Sequence, residues 1–342
     1  MPVKEIHYTI CPVGNASYIS ANKGFLQKAF EKLGVKPIKL QTLESPELWK
    51  THFTYQNDIL FREGGNIPPL WAKSNDTGVV LIGLAVLDQK QHIIVRANSD
   101  IDTIEQLRKR KIGIPVHHDP VIDFHRASAE QGFKISLSAR GVSEKEVEIV
   151  EVMGKGDFIP KKQGEKRDLG AAEVEALDNG QVDALYVRGT RSQKLFDTGK
   201  YKSIFEIHAN PNLLAPINNE QPNALTVSRK LAEEHPEVVV EYVKQVILAA
   251  EWAKTNYEEV LNLFAEQTFG TPGQVASAYL PGFHKNLTPE LSEKSLSLLE
   301  GQKRFLFDRG YLKKDFPLEK WADDSFLKAA WKEINSEKEK ER

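Results

Sequence analysis

Predicted strands and helices alternate through the first two thirds of this chain, and the remainder is mostly helical. Residues 78–86 form an apolar run of strand length, whereas Leu26, Phe30 and Leu33 recur at helical spacing. Alternation of this kind favours mostly parallel sheets with helices on both faces. We therefore predict an α/β protein.

The order of the predicted elements indicates two lobes. A first βαβ lobe precedes a crossing at about residues 87–98, a second βαβ lobe follows, and residues 217–228 contain a strand that could cross back. We predict a two-lobed α/β fold with lobe I at 1–92 plus 218–342, including extra C-terminal helices, and lobe II at 93–217. Ligand sites in such sheets lie at the carboxyl ends of strands, so we expect a cleft between the lobes to bind the ligand.

The composition excludes several partner classes. Of the 342 residues 40% are hydrophobic and 27% are charged, and the net charge of −2 does not favour nucleic acid or an anionic membrane. No apolar run is long enough to predict a membrane span. The lone Cys11 cannot form an internal disulfide and has no apolar leader before it, which favours a reducing compartment. We expect a cytoplasmic monomer that binds a small molecule.

Residues 52–65 are predicted to form a loop with the properties of an anion site. Arg62 offers five donors in a planar fork, and Gly64 and Gly65 let backbone amides approach a ligand closely. The proline pair at 68–69 suits a helix start, whose positive dipole end would face the same place. The alternative is an ordinary loop that carries a surface arginine.

Cys11 ends a predicted strand and begins the turn into a helix, a position that is expected to lower the pKa of a thiol. Together with His52 and Arg62 it forms a plausible chemical set: a sulfur acid or nucleophile, a base to poise it and a fork to hold an anion. Taken singly, a lone cysteine is commonly a small buried hydrophobe and a lone histidine is commonly structural. The hypothesis therefore depends on the convergence of all three side chains.

Three motifs resemble those of the aromatic sulfinate desulfinases. They are Cys-Pro-Val-Gly-Asn-Ala at 11–16, His-Phe-Thr-Tyr at 52–55 and Arg-Glu-Gly-Gly-Asn-Ile-Pro-Pro-Leu at 62–70, and the likeness continues at 180–186 and in the C-terminal helices. The resemblance covers most of the chain. It implies the two-lobed fold of periplasmic solute-binding proteins (type II) in a cytoplasmic enzyme that needs no cofactor and releases sulfite from an aromatic sulfinate.

The resemblance also implies roles for individual residues. The family's catalytic cysteine matches Cys11, its active-site histidine matches His52, and its sulfinate-binding arginine and glycine amide match Arg62 and Gly65. Cys11 would either attack the sulfur as a thiolate or, as a thiol, protonate the ring carbon that bears the sulfinate. We favour protonation for an aryl sulfinate, but the sequence does not decide between the two routes.

The second lobe departs from the family pattern. The chain is shorter than expected between 114 and 147, the turn there carries His117 and His118, and Arg188 and Arg191 follow the next strand. These residues suit a more polar or doubly anionic substrate, although the histidines could equally form a solvated turn. The full set of candidate substrate-binding residues is Arg62, Gly64, Gly65, Phe53, Tyr55, Phe61, Trp71, His117, His118 and Arg188.

Some alternatives stay open at this stage. We expect core packing for at least two of the four aromatic candidates, no metal site from His117, His118 and Asp119, and a solvated loop rather than a lid at 154–170. The main rival function is a solute-binding protein that delivers sulfonate-like anions to a transporter. A thiamine-pyrimidine synthase of the same fold class would need a cysteine-rich iron motif, which a single cysteine does not supply.

Overall fold

The structure is a computed structural model that describes residues 3–118, 120–155, 169–210 and 217–340. The chain folds into two units. The first unit comprises Met1–Leu87, Asn219–Phe269 and Gly282–Arg342, and the second comprises Asp88–Asn218 and Gly270–Pro281. Asp119 and most of the predicted loop at 154–170 lie outside the described residues.

The helices and strands follow in chain order. The first unit begins with β1 (Glu5–Ile10), α1 (Ala16–Asn22), α2 (Phe25–Lys32), β2 (Lys36–Lys39), α3 (Pro46–Thr54), β3 (Leu60–Gly64), α4 (Ile67–Ser74) and β4 (Val79–Ala85). The second unit contains β5 (Gln91–Arg96), β6 (Lys111–Val116), α5 (Phe124–Ser138), β7 (Glu148–Met153), α6 (Ala171–Asp178), β8 (Leu185–Arg188), α7 (Gly189–Asp197) and β9 (Tyr201–Glu206). The remainder is β10 (Asn223–Ser228), α8 (Arg229–Glu234), α9 (Pro236–Ala253), α10 (Tyr257–Gln267), α11 (Pro272–Ala278), α12 (Glu293–Asp308) and α13 (Ser325–Lys340).

The first unit is built on a five-stranded sheet with the order β2-β1-β3-β10-β4. Strand β1 pairs in parallel with β2 and β3, whereas β10 is antiparallel to both β3 and β4. The predicted return strand is β10, and it lies inside the sheet rather than at its edge. Strand β3 is consequently paired on both sides and buried along its whole length.

The second unit has a three-stranded antiparallel sheet, β8-β5-β9, and a parallel pair, β6-β7. The prediction of mostly parallel sheets is therefore only partly right. Strand β5 follows the exit from the first unit and β10 follows the return to it. Each strand enters its sheet directly from the other unit, and each is antiparallel to the strands on both of its sides.

Three stretches differ from the predicted lobe boundaries. Residues 88–92, 218 and 270–281, which the prediction placed in lobe I, group with the second unit. Helix α11 packs on α7, where Gln274 Nε2 donates to Asp197 Oδ2 at 2.6 Å, and Leu280 N donates to Asp88 O at 2.9 Å. Across the described ranges, no helix is both long and apolar enough to cross a membrane.

Candidate active site

The register of three neighbouring strands places polar side chains in a row across the sheet of the first unit. Thr9 on β1 and Thr226 on β10 both pair with Arg62 on β3. Paired residues share a face of a sheet, and so do residues two apart along one strand, so Cys11 extends the face of Thr9. Cys11 N donates to Glu63 O at 3.1 Å, which continues the ladder to the strand end.

The predicted chemical set converges on the Cys11 sulfur. Arg62 Nη2 lies 3.3 Å from Cys11 Sγ, and His52 Nε2 lies 3.4 Å from it. The Gly65 amide also forms a hydrogen bond to the thiol. Arg62 is only 1% exposed and Cys11 9%. A thiol, an imidazole and a guanidinium from three elements therefore meet in a largely water-excluded place.

The prediction of a loop at 52–65 is wrong. His52 lies in the last turn of α3, which begins where the Ser45 side chain accepts from Leu48 N and ends at Tyr55 in the left-handed region (φ 57°). Arg62 lies in strand β3 rather than in a loop. Two buried charged residues, at positions 62 and 63, interrupt the hydrophobic pattern of this strand, so the pattern did not predict it.

Several hydrogen bonds fix Arg62 in place. Its Nη1 donates to Gly65 O at 2.8 Å, and its own carbonyl accepts from Thr226 Oγ1 at 3.1 Å. The Tyr55 hydroxyl lies 2.6 Å from the same Thr226 oxygen. A buried guanidinium needs partners for its donors, and both terminal nitrogens of Arg62 have them, so this network holds the fork against the sulfur. Nothing in the local sequence singled out Thr226, which becomes a neighbour of Arg62 only through strand pairing.

The environment of the thiol differs from the prediction. Burial raises the pKa of Cys11, and the Arg62 charge and the Gly65 amide only partly oppose that effect. The expected helix-end effect is weak because the start of α1 is already occupied: Glu63 Oε2 accepts from Ser17 N at 2.7 Å. The protonated thiol is therefore the favoured form near neutral pH.

The start of α4 is not the open anion site that the proline pair suggested. Ile67 N donates to Asn219 Oδ1 at 3.0 Å, and Asn66 N donates to Asn219 O at 2.6 Å. The prolines at 68–69 have no N–H to offer. The Gly65 amide is thus the backbone donor that this turn directs at the sulfur.

Gly64 is required by the closeness of Cys11. A Cβ at Gly64, whose φ is +154°, would lie 2.1 Å from Cys11 Sγ. We expect Gly64→Ala to lower the free energy of unfolding by about 2–6 kcal/mol, because overpacking adds to backbone strain. Gly141→Ala is the matched control, because Gly141 has φ +64° and nothing within 4 Å of its Cβ position. Urea denaturation that gives equal losses for both variants would contradict this packing.

The aromatic candidates divide into two groups. Phe61 is fully buried and stacks on Tyr242 with ring centroids 3.9 Å apart, as expected for core packing, and its contact with a ligand stays a prediction. Tyr55 is buried as well, and its hydroxyl forms a hydrogen bond with Thr226 Oγ1. Phe53 packs edge-on against His52 at 4.7 Å, and Trp71 is half-buried on α4. Ligand contact by Phe53 and Trp71 stays a prediction.

In the second unit His117 has a structural environment rather than an open one. Its side chain is buried, Nδ1 lies 3.1 Å from both Asp123 carboxylate oxygens, and Nε2 lies 3.2 Å from Leu169 O. The ring of His117 thus connects the end of β6 to the start of α5, and its contact with a ligand stays a prediction. His118 is exposed, and Arg188 is half-buried at the end of β8.

Arg191 has structural partners in the same unit. It donates to Gly170 O at 2.6 Å and lies 3.7 Å from Glu173. Ligand contact by His118 and Arg188 stays a prediction. Within the described ranges, no group of three or more His, Cys, Asp or Glu side chains is placed to hold a metal ion.

The His117–Asp123 pair makes stability depend on pH. Burial opposes the charged ring, but the hydrogen bond and charge of Asp123 outweigh burial and raise the pKa of His117 above 6.5. A raised folded-state pKa stabilises the fold fully below the unfolded value, and that contribution is lost as the pH rises through the folded value. We expect the free energy of unfolding of wild type, relative to His117→Gln, to fall as the pH rises from below 6.5 through the raised folded-state pKa of His117. Urea titrations that show the same pH dependence in both proteins would contradict this assignment.

The fold and the site together define a protein with a periplasmic-binding-protein-like fold whose first unit carries a buried thiol beside an arginine fork. No family model matches the chain. The chain is homologous to the 2'-hydroxybiphenyl-2-sulfinate desulfinase of Rhodococcus erythropolis, with 26% identity over 351 residues that cover 94% of this chain and 92% of that protein. The resemblance inferred from the three motifs is thereby confirmed.

Solved structures confirm the predicted fold class. A Cys-to-Ser mutant of DszB in complex with biphenyl-2-sulfinic acid superposes with a TM-score of 0.81 at 24% identity, covering 97% of this chain and all of that one. The periplasmic aliphatic sulphonate binding protein SsuA from Escherichia coli gives a TM-score of 0.67 at 13% identity, covering 94% and 98%. Enzyme and binding protein share this fold, so the site must decide between the two functions.

Proposed function

We propose that this protein is a desulfinase that cleaves the C–S bond of an organic sulfinate, preferably an aryl one, and releases sulfite. The observation that carries the proposal is the position of the Cys11 sulfur, 3.3 Å from Arg62 Nη2 and 3.4 Å from His52 Nε2. An anion-binding protein needs the guanidinium but has no use for a thiol beside it. Homology to a sulfinate desulfinase supports the same choice.

In the proposed complex the sulfinate is held by charge. Its oxygens accept from the Arg62 fork and the Gly65 amide, the two donors that the β3–α4 turn places beside Cys11. A hydrogen bond to a charged group contributes about 1.5–3 kcal/mol, and more than one forms here. Burial of Arg62 strengthens the attraction, because little water competes for the guanidinium.

The proposed chemical step is a proton transfer from sulfur to carbon. The Cys11 thiol protonates the ring carbon that bears the sulfinate, and a π electron pair of the ring forms the new C–H bond. The C–S bond then breaks, and its electron pair returns to the ring and restores aromaticity. The products are the arene and sulfur dioxide, which takes up water to give hydrogen sulfite and returns a proton to the thiolate. The sum is R–SO2⁻ plus water giving R–H plus HSO3⁻, which requires no redox partner, and we therefore propose that no cofactor takes part.

The raised pKa of Cys11 supports this route over attack by a thiolate. Burial keeps the sulfur protonated, so the group is available as an acid rather than as a nucleophile. After the transfer, Arg62 and the Gly65 amide stabilise the thiolate that remains.

The decisive experiment measures sulfite release from a panel of aryl and alkyl sulfinates, with calorimetric binding measured in parallel. Release from an aryl sulfinate supports the proposal. Tight binding of sulfinates or sulfonates without any release would instead favour a solute-binding function, which the likeness to SsuA makes the second candidate.

Two further properties belong to the same proposal. A buried thiol that works as an acid must stay reduced, so we propose a cytoplasmic location, which fractionation of the native host tests. The site residues Cys11, His52, Arg62 and Gly65 all belong to the first unit of a single chain, so we propose that a monomer suffices. Activity that appears only in a dimer peak on size exclusion would overturn that part.

A further inference from the structure

Hydrogen bonds through a buried threonine, Thr9, connect the exposed Gln41 to His52 and Cys11. Thr9 is fully buried, and its Oγ1 accepts a hydrogen bond from Gln41 Nε2 at 2.6 Å. The same oxygen lies 2.8 Å from His52 Nδ1, and the opposite ring nitrogen faces Cys11 Sγ at 3.4 Å. The resulting chain is Gln41 to Thr9 to His52 to Cys11.

The hydroxyl of Thr9 can donate one hydrogen bond. If His52 carried its proton on Nδ1, Thr9 Oγ1 would accept from both neighbours and its own O–H would need a third partner. Among the described residues, the hydrogen-bond partners of Thr9 Oγ1 are Gln41 and His52. A buried hydroxyl proton without an acceptor destabilises the fold, so donation from Thr9 to Nδ1 is the favoured arrangement.

We propose that Thr9 is a positioning residue that fixes His52 as its Nε2–H tautomer, so that the imidazole donates to the Cys11 sulfur instead of accepting its proton. The catalytic meaning of this tautomer rests on the proposed function, but the tautomer itself does not.

The tautomer selects between the two routes that the sequence left open. With the ring proton on Nε2, all three protein groups at the sulfur are donors: Arg62 Nη2, the Gly65 amide and His52. The S–H proton then has no protein acceptor within the described ranges and is directed to the ligand. The opposite tautomer would draw that proton to His52 and make the sulfur a nucleophile.

The first test reads the tautomer directly. Long-range proton–nitrogen spectra of protein labelled with ¹⁵N-histidine distinguish the two neutral forms, and the His52 signals are identified from their loss in His52→Asn. We expect the Nε2–H form in wild type and in Thr9→Ser, which keeps the hydroxyl. Thr9→Val should convert a measurable fraction to the Nδ1–H form. An Nδ1–H pattern in wild type, or no change in Thr9→Val, would overturn the proposal.

The second test reads the thiol. The chain has one cysteine, so thiolate absorbance against pH, with Cys11→Ser subtracted, reports Cys11 alone. We expect Thr9→Val to raise the thiol pKa by roughly one unit, because the thiol can then donate to His52. Thr9→Ser should restore the wild-type value. Thr51→Val is the matched control, since Thr51 is a buried threonine next to His52 whose hydroxyl donates to Leu48 O.

Neither readout needs substrate, so the two proposals can fail separately. If the His52 tautomer and the Cys11 pKa respond to Thr9→Val as expected but no sulfite is released, the role of Thr9 is supported and the desulfinase activity is contradicted. Sulfite release from a protein whose thiol pKa is unchanged in Thr9→Val would do the reverse. A thiol pKa that rises equally in Thr51→Val would also overturn the role of Thr9.

Discussion

Cys11→Ser is expected to lower sulfite release by about 10²–10⁴-fold while sulfinate affinity stays close to that of wild type. Serine preserves the size of the side chain and can still contact Arg62 Nη2 and His52 Nε2, which lie 3.3 and 3.4 Å from the sulfur. Its hydroxyl is a much weaker acid than a thiol, so only the proton transfer is impaired. Single-turnover sulfite release and calorimetric titration with the same sulfinate separate the two effects.

A second variant at position 11 tests whether the loss of sulfite release follows from the loss of the acid. Cys11→Ala removes the acid and also the group that faces Arg62, so it should match Cys11→Ser in release. Thr51→Val, which keeps the whole proposed machinery, should release sulfite at the wild-type rate. Activity of Cys11→Ser near that of wild type would remove Cys11 from the chemistry, whatever the turnover of the native protein.

Arg62→Lys is expected to weaken sulfinate binding by about 10–150-fold, which corresponds to the loss of one charge-assisted hydrogen bond. Lysine keeps the positive charge but not the planar fork, so it cannot reach both Gly65 O and the site beside Cys11 as Arg62 does. Calorimetry measures the loss, and sulfite release should fall with it because the sulfinate is no longer held against the thiol.

The control for this variant is another arginine with a backbone partner. Arg96 in the second unit donates to Leu177 O, and Arg96→Lys tests whether any such replacement disturbs the protein as a whole. We expect no change of sulfinate affinity in Arg96→Lys. Wild-type affinity in Arg62→Lys would show that the guanidinium only supports Gly65 and does not bind the anion.

The convergence of Cys11, His52 and Arg62 is a hypothesis from spacing alone, and the three motifs that resemble those of the sulfinate desulfinases are what support it. Local patterns also located the helix that begins at Ile67 and the return strand near residue 224. Such features depend on residues close together in the sequence, which is what spacing and composition describe.

The predictions that failed depended on contacts and burial that local sequence patterns do not indicate. The start of α4 is occupied by Asn219, which is 152 positions from Ile67 in the sequence, and no local pattern could indicate that contact. The sign of the Cys11 pKa shift depended on burial and on Glu63 at the start of α1. The sequence does not predict the burial of His117, because no local pattern indicates its contact with Asp123.

The insertion of β10 between β3 and β4 has a consequence for biosynthesis. As the polypeptide leaves the ribosome from its N-terminus, Cys11, His52 and Arg62 are all made early, but Thr226, which holds the Arg62 backbone, is made more than a hundred residues later. A nascent chain that stops before β10 would hold every reactive side chain and still lack Thr226, which donates to the Arg62 carbonyl. Maturation of this centre therefore waits until the whole intervening stretch from Asp88 to Asn218 has been translated.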